Sequence, residues 1–381
     1  AKISIAQGRL DDALDELNRC LNNHYHNHKA RAMKASVLRL LNRQEEALKF
    51  GEESLIFDRF NVCCLYERYL ITKKKSDLNE LKQLMRGSSS NYIELALEYI
   101  DSGQKENAIN ILKMSIADGV STPMTYYYIG WVGNSTEAFD YAESMNGDYC
   151  FPNRPQDVLA LEAAMTYNPH SSHASYYLGC LYFDKRQYDL AGKYWNLSAK
   201  NNGTSPLVWR NLALLSFNKL NEKDTALSYM QKSFELNKKD ARILMELDQL
   251  YARMQWTPED RLNFLKQYPD LIAKRDDLLL SQITLLNQTG KYEEALSLID
   301  KHIFHPWEGC EGKVPAQYQY GRMKLSIEMI QKGEFKSAIN LLEGCLIYPL
   351  NLGEGKLEGA KENDIHYLLG CAYEGTGDIE K

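Results

Sequence analysis

The densest group of chemically capable side chains lies in a short segment between two predicted helices. His305, Trp307, Glu308 and Glu311 fall within seven residues, with Gly309 among them and Gly312 directly after them. An indole beside carboxylates suits a sugar, and glycine lets the backbone approach a ligand closely. Two readings stay open. Either these groups bind a ligand, or Trp307 fills a gap between helices while the glutamates cap a helix or face water. Paired carboxylates alone are a weak hydrolase signal, because their separation cannot be read from sequence, so we assign no catalytic residue.

A second candidate is the run of alternating histidines at His24, His26 and His28. Alternate histidines can share a metal ion, although the same composition is common in a solvated turn. The eight cysteines contain no CxxC pair and no ligand-like spacing with histidine. We therefore assign no metal and no cofactor. Free thiols fit a reducing compartment, which predicts a cytoplasmic protein.

The elements that position these residues are predicted to be short helices in a repeating pattern. Apolar residues recur at the helical spacing i, i+3, i+4 and i+7. A small residue, an aromatic residue and an interhelix glycine return in order, and Ala13 and Ala47 hold equivalent positions 34 residues apart. The clearest copy contains Tyr177, Leu178, Gly179, Tyr182, Tyr188, Ala191, Trp195 and Ser198. Such a pattern predicts pairs of antiparallel helices that cross closely at the small residues.

This period and pattern resemble the tetratricopeptide repeat (TPR). The resemblance implies an all-α fold, a TPR-type α-solenoid of about ten antiparallel helix pairs, some irregular. All ten prolines fall between predicted helices or at a helix start, in agreement. We expect residues 1–381 to form a single solenoid that belongs to a longer polypeptide. Irregular points are predicted near 86–90, 146–155, 303–314 and 349–361.

From about residue 150 onward the sequence resembles a more specific group, the C-terminal repeat region of large microbial proteins. In those proteins the N-terminal part is a β-sandwich module similar to sugar mutarotases. The motifs that carry the resemblance are Phe151-Pro152-Asn153-Arg154, Trp209-Arg210-Asn211-Leu212, Arg275-Asp276-Asp277, the segment 305–312 and the segment 348–355. The resemblance implies a link to carbohydrate, but it carries no firmly assigned activity.

The aromatic content suggests a binding surface. Tyrosine alone accounts for 25 residues. In TPR proteins the first helix of each pair lines the concave face, and aromatic residues and arginine dominate binding hot spots. The residues expected on that face are Tyr127, Trp131, His173, Tyr176, Arg210, Phe217 and Asp277. We therefore expect a protein-interaction scaffold that holds a peptide, a partner domain or its own N-terminal module in a concave groove. Core packing is the competing role for each aromatic residue.

Charge and motif content narrow the alternatives. The net charge of −6 argues against nucleic-acid binding, which needs a basic face. No apolar run approaches the roughly 18 residues that span a membrane. Phosphate loops, dinucleotide-binding fingerprints, nucleophile elbows and zinc motifs are missing from the sequence, so an enzyme is the less favoured reading, although it stays open for the whole polypeptide. The main alternative is a carbohydrate-binding or carbohydrate-processing accessory region that uses the loops 303–314 and 349–361.

Those two loops each follow the second helix of a pair. Second-helix ends of successive repeats lie on the same edge of a solenoid, so we expect the loops to touch each other. Long loops inside a tight repeat array are seldom idle linkers. The sequence therefore predicts that both loops are ordered and enclose Trp307, with Glu308 or Glu311 hydrogen-bonded.

Overall fold

The computed structural model describes residues 1–378, and all regular structure within that range is helical. The chain divides into two compact units, one from Ala1 to Gly203 and the other from Thr204 onward. Each unit is a row of antiparallel helix pairs in which consecutive helices make the main contacts. The predicted all-α solenoid architecture is confirmed within each unit.

Unit 1 contains thirteen of the described helices. They are α1 (Lys2–Ala6), α2 (Leu10–Asn23), α3 (His28–Leu40), α4 (Gln44–Phe57), α5 (Val62–Thr72), α6 (Lys75–Met85), α7 (Ser89–Asp101), α8 (Lys105–Ala117), α9 (Pro123–Gly133), α10 (Thr136–Ser144), α11 (Pro155–Tyr167), α12 (Ser172–Asp184) and α13 (Tyr188–Asn201).

Unit 2 contains ten α-helices, a π-helical turn at Ser216–Leu220 and a 3-10 turn at Leu350–Leu352 within its described part. The α-helices are α14 (Pro206–Leu215), α15 (Lys223–Leu236), α16 (Ala241–Arg253), α17 (Pro258–Leu265), α18 (Pro269–Ile272), α19 (Asp276–Gln288), α20 (Tyr292–Lys301), α21 (Lys313–Gln331), α22 (Phe335–Cys345) and α23 (Asn363–Thr376).

Polar side chains fix where several first helices begin. The Asn27 carboxamide accepts a hydrogen bond from the backbone N–H of Ala30 at 3.0 Å, and Asn61 accepts one from Cys64 at 3.2 Å. Ser171 caps α12 in the same way. An N-cap satisfies an amide that has no partner inside the helix and typically contributes about 1 kcal/mol. Capping side chains close to each helix start in the sequence therefore fix where these helices begin.

The turn between the two helices of a pair repeats one conformation. Gly103, Gly290 and Gly333 have φ angles of 75°, 76° and 79°, in the left-handed region. The amide of Gly103 donates to the carbonyl of Ile100 and the next amide, from Gln104, donates to Tyr99, which closes the helix end in a Schellman motif. The predicted left-handed caps are confirmed.

Close helix crossings depend on the small residues of the repeat. A Cβ atom added to Gly179 would lie 2.3 Å from the Trp195 indole, so only glycine lets α12 approach α13 this closely. Ala191 is buried beside this crossing, and the Ser198 hydroxyl donates to the carbonyl of Ser172 at 2.8 Å. The repeat register read from the sequence is therefore correct here.

Two helices differ from the sequence prediction. The helical spacing of apolar residues predicts a single helix over roughly 271–288, but α18 ends at Ile272 and α19 begins at Asp276. The backbone amides of Lys274 and Arg275 donate hydrogen bonds to the carbonyls three residues earlier in the chain and so form turns. At the start of α19 the Asp277 carboxylate accepts a hydrogen bond from the backbone amide of Leu278. The same spacing predicts an α-helix over roughly 205–218, but the hydrogen bonding changes to π-helical from Ser216.

Two irregular segments of unit 1 lie between α6 and α7 and between α10 and α11. Arg86 and Gly87 both adopt left-handed φ between α6 and α7. After α10 the chain stays non-helical until Pro155, although Cys150 within it is buried. The buried Asp157 carboxylate holds the end of this segment, because it accepts hydrogen bonds from the amides of Asn153 at 2.8 Å and Arg154 at 2.9 Å.

Candidate binding groove

One face of α3 opens onto a groove inside unit 1. Lys29, Ala32, Met33 and Ser36 recur at spacings of three and four residues, which places them on one side of the helix. The start of α5 and one face of α7 form the other walls, and the cavity measures about 300 Å³. We call this feature the α3 groove and define it by Lys29, Met33, Val62, Cys63, Leu95 and Glu98.

The floor of the α3 groove is apolar. Met33, Val62 and Cys63 are half-buried there and Leu95 is buried. Burial raises the pKa of the Cys63 thiol above its usual range, so the sulfur stays protonated at neutral pH. A protonated, half-buried thiol acts as a small packing group and not as a nucleophile.

The rim of the α3 groove carries both signs of charge. The Glu98 carboxylate lies 2.9 Å from Lys2 Nζ and 3.1 Å from Lys29 Nζ. Partial burial opposes ionisation of Glu98, but the hydrogen bonds from both lysines outweigh it and lower the pKa of this carboxyl. Glu98 is therefore a fixed negative charge between two cations, of which Lys29 is the more exposed.

Beneath the groove, a buried carboxylate links its three main helices. Glu67 on α5 accepts a hydrogen bond from the Tyr99 hydroxyl of α7 at 2.8 Å and forms an ion pair with Arg39 of α3. Arg39 also donates to Gln104 at 3.0 Å, and Gln104 donates to Ser36 at 3.0 Å. This network fixes the walls of the groove relative to one another.

The binding residues predicted in unit 1 lie further along the unit. The ring of Tyr127 is only 1% exposed and belongs to the core that α9 forms with α10 and α11, which favours the competing role of core packing for this residue. Trp131 and Tyr176 are half-buried and pack against that same core. His173 is half-buried, and its backbone amide donates to the carboxylate of Glu143 at 3.1 Å, as part of the cap of α12.

The binding residues predicted on the first helices of unit 2 are engaged with neighbours in the same unit. Arg210 donates to Glu246 of α16 through two nitrogens and is largely buried. Asp277 pairs with Arg275 at 2.6 Å, and the guanidinium of Arg253 lies 5.6 Å from the centre of the Phe217 ring. The charge of Arg210 is thus compensated within unit 2, and its role as a binding hot spot stays a prediction.

The two long loops of unit 2, 303–314 and 349–361, touch each other as predicted. We call them the loop pair. The Phe304 amide donates to the carbonyl of Asn351 at 2.9 Å, and the Gly312 amide lies 2.9 Å from both carboxylate oxygens of Glu354. Phe304 and Leu352 are buried in the core of unit 2. Both loops are thus anchored by backbone contacts and by a core side chain.

Much of the polar chemistry of the loop pair closes helix ends. The side-chain carboxamide of Asn351 donates hydrogen bonds to the carbonyls of Ile299 at 2.8 Å and His302 at 3.2 Å, at the end of α20. Glu354 binds the amide of Gly312, the residue that precedes α21. Helix ends leave backbone groups without partners, so these two side chains act as caps across the loops.

Asp276 fixes the first half of the loop 303–314. Its carboxylate accepts from the His305 amide at 2.7 Å and lies 2.8 Å from Nε2 of His302. Partial burial disfavours the charged form of Asp276. The hydrogen bonds from the His305 amide and the His302 side chain outweigh this effect and lower the pKa of the Asp276 carboxyl. The side chain of His305 itself is exposed.

Trp307 is half-buried and packs against the core of unit 2, so it neither fully plugs a gap nor stands free in solvent. Its amide donates to the Cys310 sulfur at 3.1 Å.

Glu311 accepts from the Gly309 amide at 3.2 Å, which confirms the prediction that one of the two glutamates is hydrogen-bonded. The backbone N–H groups of Glu311 and Gly309 lower the pKa of the Glu311 carboxyl. Glu308 is exposed.

Sequence reasoning missed the α3 groove. The prediction weighted aromatic residues and arginine, which directed it to later helices. The lining of the groove contains no arginine, and most of its residues are aliphatic, small polar, amide or acidic. The signal was present in the helical spacing of Lys29, Met33 and Ser36 on the first helix of a pair. Examining the same face of the first helix in every repeat would have identified the α3 groove.

Other candidate chemistry is limited in the described residues. Within residues 1–378 no group of three histidine, cysteine or acidic residues could hold a metal ion, so the run His24–His28 has no partner ligands there. None of the described helices combines the length and apolarity needed to cross a membrane. The eight cysteines, all within the described range, are free thiols.

Comparison with known proteins matches residues 1–61 to the tetratricopeptide repeat family. The chain is also similar to solved structures. One is YrrB, described as a TPR protein with an unusual peptide-binding site, at 14% identity and TM-score 0.24, covering 60% of this chain and 95% of YrrB. Another is pilF of Pseudomonas aeruginosa, at 19% identity and TM-score 0.33, covering 56% and 89%. A third is a tetratricopeptide repeat protein from Parabacteroides merdae, at 16% identity and TM-score 0.31, covering 74% and 98%. The helix pairs described above give the chain an all-α, repeat-type fold, and the tetratricopeptide repeat match covers residues 1–61 of it.

Proposed function

We propose that this chain is a protein-interaction scaffold whose α3 groove holds a peptide segment of a partner protein. The observation that carries the proposal is the preformed groove of about 300 Å³ between α3, α5 and α7, with an apolar floor and a charged rim. Binding sites commonly combine a concave apolar surface with a few fixed polar groups. The repeat match over residues 1–61 covers α1 to α4 and so includes the first wall of the groove.

The groove favours a segment that presents an apolar side chain between polar neighbours. Met33 and Val62 offer the apolar contact, and methionine adapts to side chains of different shape. The Lys29–Glu98 pair offers an acceptor and a donor at the rim. A module on the same polypeptide, as the second sequence resemblance implies, is one form that the partner could take.

A selection from a random peptide library tests the proposal. Peptides selected on the native chain should bind the Met33→Glu variant at least about tenfold more weakly, because a charge would enter the apolar floor. Ile56→Glu is the matched control, since Ile56 is an exposed apolar residue of α4 outside the groove and should leave affinity unchanged. Equal affinity for Met33→Glu, or hydrogen-exchange protection confined to other helices, would contradict the groove assignment.

Carbohydrate binding at the loop pair is the second candidate. The half-exposed Trp307 beside the exposed Glu308 favours it, because a sugar ring can stack on an accessible indole face. Against it, Glu354 and Glu311 are already bonded to backbone amides. A glycan array with the native chain and Trp307→Ala tests this function, with the partly exposed Trp256→Ala as the control. A signal that Trp307→Ala loses and Trp256→Ala keeps would support it, and no signal for the native chain would reject it.

A further inference from the structure

The side of α3 opposite the groove buries an arginine without a carboxylate partner. Arg31 is 0% exposed. Its Nε donates to the Ser54 hydroxyl at 2.9 Å, and Nη1 lies 3.4 Å from the carbonyl of Tyr25, a long contact. Nη2 is buried and has no hydrogen-bond partner. No acidic side chain lies within ion-pairing distance of Arg31 anywhere in residues 1–378.

Aromatic rings surround this guanidinium. Its central carbon lies 4.5 Å from the centre of the Phe50 ring, 4.9 Å from Tyr25 and 5.1 Å from Phe57. Cation–π attraction offsets part of the cost of burying the charge. A buried cation without a paired anion nevertheless remains costly, so the arrangement favours any anion that can reach it.

Only a short loop separates Arg31 from solvent. Tyr25 lies between α2 and α3, in the non-helical segment 24–27, and is 51% exposed although one ring face covers the guanidinium. Phe57 on the other side is 45% exposed. Residues 23–27, which include Tyr25, line a surface depression. Tyr25 is thus shared by this depression and the aromatic cover of Arg31, and displacing it would uncover the guanidinium on that side.

We propose that Arg31 is a binding site for a carboxylate, which enters when the segment 24–27 moves aside. The two terminal nitrogens of a guanidinium match the two oxygens of a planar carboxylate, and such bidentate pairs are the strong ones. The carboxylate replaces the long contact to the Tyr25 carbonyl and satisfies Nη2. Phe50 and Phe57 stay against the guanidinium. The site is separate from the α3 groove, which uses the opposite face of the same helix.

Acetate is the probe for this site. Acetate is titrated against chloride at constant ionic strength and pH 7 while the melting temperature is measured. The native chain should show a saturable rise of about 2 °C or more, because a ligand that binds only the folded state stabilises it. Arg31→Met should show no saturable rise, although in chloride it should melt at the same or a higher temperature, since methionine fills the space without burying a charge. Lys34→Met, which removes a neighbouring cation above Phe50, is the matched control and should keep the rise.

Two further variants keep the test decisive if Arg31→Met fails to fold. Tyr25→Gly removes the cover and should lower the acetate concentration at half-saturation. Arg31→Lys keeps the charge but loses the planar fork, so it should raise that concentration. A native chain without a saturable rise, an equal rise in Arg31→Met, or equal half-saturation in Arg31→Lys would overturn the proposal. Inorganic phosphate acting at lower concentration than acetate would overturn the carboxylate assignment.

Discussion

The α3 groove and the loop pair use their polar groups in opposite ways. In the groove, helix faces form the walls, their backbone bonds are satisfied inside each helix, and side chains such as Lys29 remain at the rim. In the loop pair, the backbone is irregular, and side chains such as Asn351 and Glu354 bind it. The most unusual sequence in the chain is therefore largely occupied in holding the structure. On the proposed function, the ordinary repeat surface is what a partner contacts.

The largest expected effect that tests this comparison is a loss of unfolding free energy on substitution of Glu67, which lies beneath the groove. Glu67→Ala leaves Arg39 buried without its anion, and breaking a buried pair typically costs about 3–5 kcal/mol. Urea unfolding followed by circular dichroism measures the loss. Glu46→Gln, in the exposed pair with Arg43, is the control and should leave the unfolding curve unchanged. A Glu67→Ala protein as stable as the native chain would mean that the network does not fix the groove.

Glu354→Ala should have the next largest effect, in the loop pair. The Gly312 amide loses its charged acceptor at the start of α21, and hydrogen bonds to charged groups contribute about 1.5–3 kcal/mol. Hydrogen exchange should become faster in residues 303–314 and in the first turn of α21. Glu358→Ala, an exposed glutamate of the same loop, provides the control. Unchanged exchange in Glu354→Ala would remove this carboxylate from the capping role.

Asn351→Ala should destabilise the other end of the loop pair by about 1–2 kcal/mol. Two carbonyls at the end of α20 lose their donor, and a net hydrogen bond is worth about 1 kcal/mol. The measurement is the exchange rate of amides in the segment 299–305. Asn263→Ala on the exposed side of α17 is the matched control. If both variants behave alike, Asn351 is not a cap.

The smallest effect is the pH dependence that Asp276 confers on the loop 303–314. Its pKa is lowered in the folded chain, so the unfolded chain takes up the proton at higher pH than the folded chain does. The stabilisation is present above the ordinary aspartate pKa of about 3.9 and is lost as pH falls through the folded pKa. Trp307 fluorescence should report this loss in the native chain and not in Asp276→Asn. Asp270→Asn should behave like the native chain.

Sequence reasoning reached the fold because the repeat is local. A small residue at Gly179 or Ala191 and a glycine at 103 or 290 constrain neighbouring residues, so their spacing can be read directly. The contact between the loops of unit 2 was also predictable, from the shared edge of second-helix ends. The prediction of a single solenoid over the whole chain stays a prediction.

The partners of individual side chains were not predictable. Arg210 meets Glu246 across 36 residues, and nothing in the spacing of either residue indicates that pair. Burial of Tyr127 depends on how α9 packs, because the same ring at the same repeat position could face solvent. The break before Asp276 arises from capping contacts that compete with an otherwise helical pattern. Charge compensation and ring burial are tertiary properties, and the site residues depended on them.

The Schellman turns inside the helix pairs also bear on how the chain folds. Each turn closes a hairpin of helices whose contacting residues are close in sequence, so little chain entropy is lost before contacts form. Folding can then begin at any of several pairs and spread to neighbours, as in other repeat arrays. The low contact order that results predicts rapid folding for a chain of this length. The slow steps should be the joining of the loop pair and the closure of the Glu67 network, which connect residues further apart along the chain.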